Sequence, residues 1–365
     1  MADSLSNAGR RLGQLKESIL GKTASQIPFD PEATSFPTRK NLPKIVGAPD
    51  EAAWVWGKDD NIGRLNLLTP ARVKAAAASE IRTGEMARLD LPLNVPAQPA
   101  FGRQKFEHKI IELFEDVVFD DIYHMNTQSG TQWDGFRHFA HLPTKTFYNN
   151  THKSDVVGPT ANHKCSVHHW SEHGFSGRAV LLDYRSYADS QGIKYDTATS
   201  HAISYDDLVA CGKAQGLDIR PQAQGGDIKV GDILLIRSGW VEDYYKRTPE
   251  ERERLALRGT AGHEDTVGQW AGVKQEEAMK DWLHDCYFAA VGGDAPAFER
   301  WPTPESYHLH EYILALWGMP LGEMLDLEKA SQLAKKNNRW TFFFSSSPAN
   351  CPGGVSSHVN ATAIF

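Results

Sequence analysis

Apolar and polar positions change period several times along this chain, and each change marks an element. Arg178–Asp183 reads Arg-Ala-Val-Leu-Leu-Asp and Gly231–Arg237 reads Gly-Asp-Ile-Leu-Leu-Ile-Arg. Short, branched apolar runs between polar ends predict strands buried on both faces. Phe288–Val291, ending in Gly292-Gly293-Asp294, predicts another, and Trp340–Phe344 and Ala361–Phe365 predict closing strands. Met86–Leu93 and Phe106–Phe119 also read as strands. Helical spacing instead governs Ala71–Glu80 after Thr69-Pro70, Ser166–His173 before Gly174, Ser204–Gln215 before Gly216, Glu276–Asp285 and Pro304–Trp317. Strands outnumber helices while both recur, so the expected class is mixed α/β. Residues 26–60 are rich in Pro and polar residues and predict an extended strap. We expect an arm and strap over 1–58 and one large domain over 59–365.

One stretch breaks the rule that a strand buries apolar side chains. Asn126–His141 reads Asn-Thr-Gln-Ser-Gly-Thr-Gln-Trp-Asp-Gly-Phe-Arg-His-Phe-Ala-His. Read as a strand, it puts Gln128, Gly130, Gln132 and Asp134 on one face, with Thr131 and Trp133 on the other. Gly135 ends the strand, and His138 and His141 follow at the spacing of one helical side. Polar groups gathered on one face are costly to bury without a use. Asp134 is a candidate oxygen ligand or base, and His138 a proton carrier titrating near neutrality. A second candidate is His308-Leu-His310-Glu311, with Glu323 following Gly318-Met-Pro-Leu-Gly322. Gly292-Gly293-Asp294 follows a strand, where a ligand-facing turn often lies. Trp133 and Phe136 are candidates for an aromatic pocket lining, as are Phe139 and Trp240.

Composition removes several classes of function. The 46 acidic and 39 basic residues leave a net charge of -7 with no basic stripe, which argues against nucleic acid. Apolar runs such as Tyr312–Trp317 are too short to span a bilayer. The 4 cysteines are far apart with no CxxC pair, so a reduced, cytoplasmic setting is expected. The first 25 residues predict a weakly amphipathic arm without the apolar core of a secretory signal. His163, Cys165, His168, His169 and His173 crowd together, but their spacing matches no zinc pattern, and a packed helix is expected there. No P-loop, GxGxxG or GxSxG sequence is present.

The chain resembles the cyclase family, whose relatives include kynurenine formamidase (arylformamidase) and isatin hydrolase. The family motif is His-x-Gly-Thr-His-x-Asp-x-Pro-x-His; here Gln128-Ser-Gly130-Thr131-Gln132-Trp-Asp134-Gly-Phe-Arg-His138 stands in its place. Gly177–Asp183, Gly231–Trp240, the turn at Asp294 and the late helix running to Glu323 extend the resemblance from about Asp59 to the C-terminus. It implies the swivelling β/β/α fold, dimers or tetramers, and zinc or manganese bound by two motif histidines, the aspartate, and a later histidine and glutamate. Carried over by position, His138 is the base, Asp134 the retained ligand and Glu323 the later acid. Both ligand histidines are glutamine, and the late histidine position falls on Glu311, beside His310. An amide oxygen is a poor zinc ligand, so the implied positions (Gln128, Gln132, Asp134, Glu311 with His310 beside it, and Glu323) suit manganese, magnesium or calcium, or no metal at all. Gln128, Gln132, Trp133, Phe136, His141 and Asp294 are then the expected substrate contacts. The resemblance implies a hydrolase opening an amide, cyclic imide or lactone of a small aromatic or polyketide-like molecule. The alternatives are a metal-independent cyclase, lyase or isomerase using Asp134 and His138, and a non-catalytic binding or scaffold protein.

Overall fold

The computed structural model describes residues 28–264 and 266–365, so the expected arm over the first 25 residues lies outside them. The strands in chain order are β1 Met86–Arg88, β2 Glu107–Phe114, β3 Val118–His124, β4 Gln132–Asp134, β5 Phe175–Leu182, β6 Ala202–Ile203 and β7 Ile233–Ile236. They continue with β8 Gly272–Val273, β9 Ala290–Gly293, β10 Leu321–Glu323, β11 Thr341–Ser346, β12 Ser356–His358 and β13 Ala361–Ile364. Nine form one sheet in the order β1-β13-β11-β5-β7-β9-β10-β4-β12. The pairs β5–β7, β7–β9 and β9–β10 are parallel, and the flanking pairs are antiparallel. The fold is mixed α/β, as the alternation of periods predicts.

The apolar runs explain this order. Ile233–Ile236 and Ala179–Leu182 are almost completely buried, as strands covered on both faces must be. The strap joins the same core: Ala52–Trp56 are buried with these strands, and Trp54 Nε1 donates to the Ala315 carbonyl at 2.9 Å. Arg39 fixes it further through Glu51, Glu277 and Asp281. Ser238 and Asp294 follow β7 and β9 at their C-terminal ends and Glu323 is the last residue of β10, so polar side chains gather on that rim.

Several elements differ from expectation. The motif is a strand only over Gln132–Asp134, because Asn126–Gly130 turns on itself through a bond from Ser129 N to Asn126 O. His138 and His141 lie on a turn rather than a helix. The Pro304–Trp317 helix shrinks to a wide π-helical segment, Glu311–Leu316, closed by Trp317 N to Tyr312 O at 2.8 Å. Phe106–Phe119 does not lead into the sheet; β2 and β3 form a separate ribbon.

Gly318 joins that π-helical segment to β10. Its φ is +58°, and an added Cβ would lie 2.3 Å from the Tyr148 ring. Its carbonyl accepts Arg64 N at 2.7 Å, tying the residues after the strap to the strand that carries Glu323. Gly318→Ala is therefore expected to cost about 3 kcal/mol or more in chemical denaturation, from the left-handed backbone and the overlap together. A loss under 1 kcal/mol would mean that Tyr148 yields freely.

Candidate active site

Register assembles the site. In the antiparallel pair of β4 and β10, Gln132 lies opposite Glu323, Trp133 opposite Gly322 and Asp134 opposite Leu321. Residues directly opposite share a face, so Gln132, Asp134 and Glu323 project together and Trp133 projects away. Trp133 is fully buried, stacks on Phe175 at 4.6 Å and donates its indole N–H to Ser346 Oγ. Phe136 is fully buried between Tyr148 and Trp170. Both are core residues and not the expected substrate contacts.

Around Asp134 the polar groups form one network. Gln128 Nε2 donates to Asp134 Oδ1 at 2.7 Å, and Gln132 Nε2 to the same oxygen at 3.2 Å and to Glu323 Oε2 at 2.8 Å. Arg103 Nη1 donates to the Gln132 side-chain oxygen at 3.2 Å and to the Gln128 carbonyl at 2.8 Å. A guanidinium only donates, so the Gln132 atom facing it is the oxygen and the amide nitrogen faces the carboxylates. Among the described residues Asp134 Oδ2 is buried with no hydrogen-bond partner, 3.8 Å from His138 Nε2 and 3.9 Å from His310 Nε2. The His138 side chain is 23% exposed while Asp134 is at 0%, so His138 stands between this oxygen and solvent. The Gln128 amide touches its ring at 3.2 Å.

The late segment contributes His310 and not Glu311. The Glu311 carboxylate accepts the backbone N–H groups of His308 and Leu142, at 2.9 and 2.8 Å, and serves to close two loops. His310 Nδ1 meets Glu299 Oε1 at 2.6 Å and its Nε2 meets Glu323 Oε1 at 3.2 Å. Burial alone would depress the His310 pKa, but these two carboxylates outweigh it and hold it well above the usual histidine range. Glu299 is correspondingly held low: burial opposes this, and the His310 contact and the backbone N–H of Leu309 prevail. Glu323 Oε1 also accepts Phe298 N at 2.9 Å.

Asp294 is also corrected. Its carboxylate is fully buried and accepts the N–H groups of Ser238, Gly239 and Trp240 and the Ser238 hydroxyl, which fixes the turn after β7. Burial raises its pKa to about 6 against those bonds. His141 braces its own loop through Thr144 Oγ1 at 2.9 Å. Of the expected aromatic lining, Phe139 does stand beside the network, 5.4 Å from His310 and 5.5 Å from His308; His308 stacks on Trp301, and Trp301 meets Phe101 edge-on. Arg103, Glu299, Trp301 and Phe101 carry no motif signal; His308 and Phe139 lay within the two candidate segments. A cavity of about 610 Å³, lined by Arg72, Gly177, Arg178, Gly231 and Asp232, opens at the opposite, N-terminal ends of β5 and β7. His168, His169 and Glu172 also converge on the helix His168–His173, but His168 Nδ1 is engaged by Ser166 Oγ and His169 Nε2 by the His163 carbonyl.

Asp134, His310 and Glu323 offer ligand atoms within 4.8 Å of one another and fit a divalent cation. Two carboxylates and one imidazole, with Glu299 behind the imidazole, suit manganese or zinc. Gln128 and Gln132 do not add to the set, because both turn amide nitrogen inward. A cation there also displaces the Nε2 proton that His310 shares with Glu323. Restoring two imidazoles by Gln128→His with Gln132→His is therefore expected to tighten zinc binding at least about 100-fold, read by calorimetry on metal-stripped protein. Equal affinities would show that the amides do not limit the site.

Comparison with known proteins identifies the family and the fold. The Cyclase family model matches residues 88–300. The crystal structure of a novel cyclase is similar at 26% identity and a TM-score of 0.72, covering 86% of this chain and 99% of its own. Isatin hydrolase A from Ralstonia solanacearum shares the fold at 18% identity and a TM-score of 0.52, covering 81% of this chain and 97% of its own. An isatin hydrolase bound to the product analogue thioisatinate does so at 13% identity and a TM-score of 0.50, covering 81% and 97%. No curated protein matches. A family match over more than half its length, on a site built around the family motif, places this chain in the Cyclase family.

Proposed function

We propose that this protein is a hydrolase that opens an amide, cyclic imide or lactone bond in a small aromatic or polyketide-like molecule. The observation that carries the reading is the oxygen Asp134 Oδ2, buried and unpaired within 4 Å of His138 and His310. A buried carboxylate oxygen calls for a donor, and His138 lies on the solvent side of it, where a proton can leave. Isatin, the cyclic amide named for two of the similar structures, is the natural first substrate to try. The rings of Phe139, His308, Trp301 and Phe101 supply an apolar wall for a flat molecule.

In this mechanism Asp134 Oδ2 accepts a hydrogen bond from a water and aims it at the substrate carbonyl. His138 takes the water proton as the new carbon–oxygen bond forms. The carbon–nitrogen or ring carbon–oxygen bond then breaks, its electron pair stays with the leaving atom, and His138 returns the proton there. Charge on the carbonyl oxygen develops near Arg103 and, where no metal is held, near His310, kept cationic by Glu299 and Glu323. When bound by Asp134, His310 and Glu323, a divalent ion supplies Lewis acidity and a more acidic water. Ring opening and closure share one tetrahedral intermediate, so the residues are the same in either direction.

The nitrogen-inward glutamines favour a second reading, in which the same groups work without metal as a cyclase, lyase or isomerase. Turnover that survives chelation and dialysis selects that branch. His138→Ala is expected to lower kcat/KM by about 10²–10⁴-fold on a confirmed amide, imide or lactone substrate, with the far-UV spectrum retained. Unchanged turnover would remove His138 from the chemistry. Absence of turnover by the wild type across such a panel would favour the scaffold reading.

A further inference from the structure

The helix His168–His173 carries a second group of ligand atoms, outside the network around Asp134. His168 and Glu172 stand four residues apart and His169 and Glu172 three, so the three side chains meet on one side of the helix. Their ligand atoms lie within 4.8 Å of one another. The helix is held against rolling, because Trp170 is fully buried and packs on Phe136 at 4.9 Å. Exposure rises across the group, from 6% at His168 to 25% for the His169 side chain and 60% for that of Glu172. An ion can therefore enter from solvent and keep water in its remaining positions.

The bonds already made by the two rings decide which nitrogens they offer. His169 Nε2 lies 3.0 Å from the His163 carbonyl, which only accepts, so that nitrogen carries the proton and the neutral ring has its lone pair on Nδ1. This Nδ1 lies 3.7 Å from Glu172 Oε2. A lone pair set against a carboxylate oxygen calls for a cation between them. Zinc bonds of about 2.0–2.2 Å to nitrogen and oxygen place the two ligand atoms roughly 3.3–4 Å apart, and the observed gap falls in that range. On His168, Nδ1 lies 2.9 Å from Ser166 Oγ; the hydroxyl can accept the Nδ1–H and leave Nε2 as the ligand. A carbonyl or hydroxyl behind the ligating ring is how imidazoles are held at metal centres.

We propose that His168, His169 and Glu172 form a zinc site separate from the Asp134 centre. Two imidazoles and a carboxylate are a donor set that zinc favours and that magnesium or calcium does not. The Asp134 centre offers one imidazole and two carboxylates, so zinc goes first to the helix and a harder ion such as manganese to the buried centre. The ion also has a place in the framework of the other site. The carbonyls of Asn162 and Lys164 accept the Arg137 guanidinium at 2.7 and 2.6 Å, and the His163 carbonyl between them accepts from His169. Fixing His169 thus stiffens the loop that holds Arg137, the neighbour of His138.

Zinc titration by calorimetry tests this on metal-stripped Asp134→Asn with Glu323→Gln protein, in which the buried centre has lost both carboxylates. One zinc per chain is expected to bind, and the wild type titrated in parallel should show the same tight first equivalent. Adding His168→Ala with His169→Ala should weaken that binding by about 100-fold or more. Ser166→Ala, which keeps all three ligands, should weaken it by roughly tenfold. Amide hydrogen exchange over residues 162–173 should slow when zinc is added, and should not when the two histidines are absent. No zinc uptake near neutral pH would show that a proton alone bridges His169 and Glu172, and would overturn the proposal. Unchanged affinity without the two imidazoles would overturn it too, by placing the ion elsewhere.

Discussion

Three carboxylates share one dry pocket of this fold. Asp134, Glu299 and Glu323 are at most 2% exposed, and ligand atoms of Asp134 and Glu323 lie within 4.8 Å of each other. Two like charges at that distance repel by about 3–4 kcal/mol at an effective dielectric of about 20, before any cost of burial. The neighbourhood is organised to offset this. His310 sits between Glu299 and Glu323 as a cation, and Gln132 bridges Asp134 and Glu323 with one amide nitrogen. Arg103 then holds the amide oxygen away from the carboxylates. Strand register makes this possible, because β4 and β10 meet with Gln132 opposite Glu323.

The same arrangement divides labour between two imidazoles. His310 has both ring nitrogens committed to carboxylates and is buried, so it keeps its proton and supplies fixed charge. His138 makes only a glancing contact with Gln128 and reaches solvent, so it is the ring free to exchange a proton. Replacing the motif histidines by glutamine thus does more than remove ligands. It adds amide donors that satisfy carboxylate oxygens from within the protein, and among the described residues leaves Asp134 Oδ2 as the one oxygen of Asp134 and Glu323 still unpaired.

Much of this was legible in the residues. The parallel core strands show as unbroken branched runs, and the motif face shows as polar side chains where a strand should be apolar. Trp133 and Phe136 misled because an aromatic beside polar residues suits a pocket wall or a core equally, and strand parity alone, once β4 is short, sends Trp133 to Phe175. Glu311 and His310 are adjacent, and counting back from Gly318 assumes a regular helix; the wide π turn over Glu311–Leu316 shifts which residue faces inward. The helix Pro249–Leu257 carries its start signal in the capping box of Thr248 and Glu251, which the apolar pattern alone does not show. Arg103 and Glu299 had no signature. They are single charged residues outside the motif, and only the folded chain brings them to it.

Arg103 links the two halves of the molecule's design. It lies at the root of the β2–β3 ribbon, closes that root on the Gln128 carbonyl, and uses the same nitrogen to fix the amide of Gln132. A displacement of the ribbon root therefore acts directly on the residue that decides whether nitrogen or oxygen faces Asp134 and Glu323. An amide that turned its oxygen inward would place a partial negative charge against two carboxylates, so the network has one favourable setting and a strong penalty for the other.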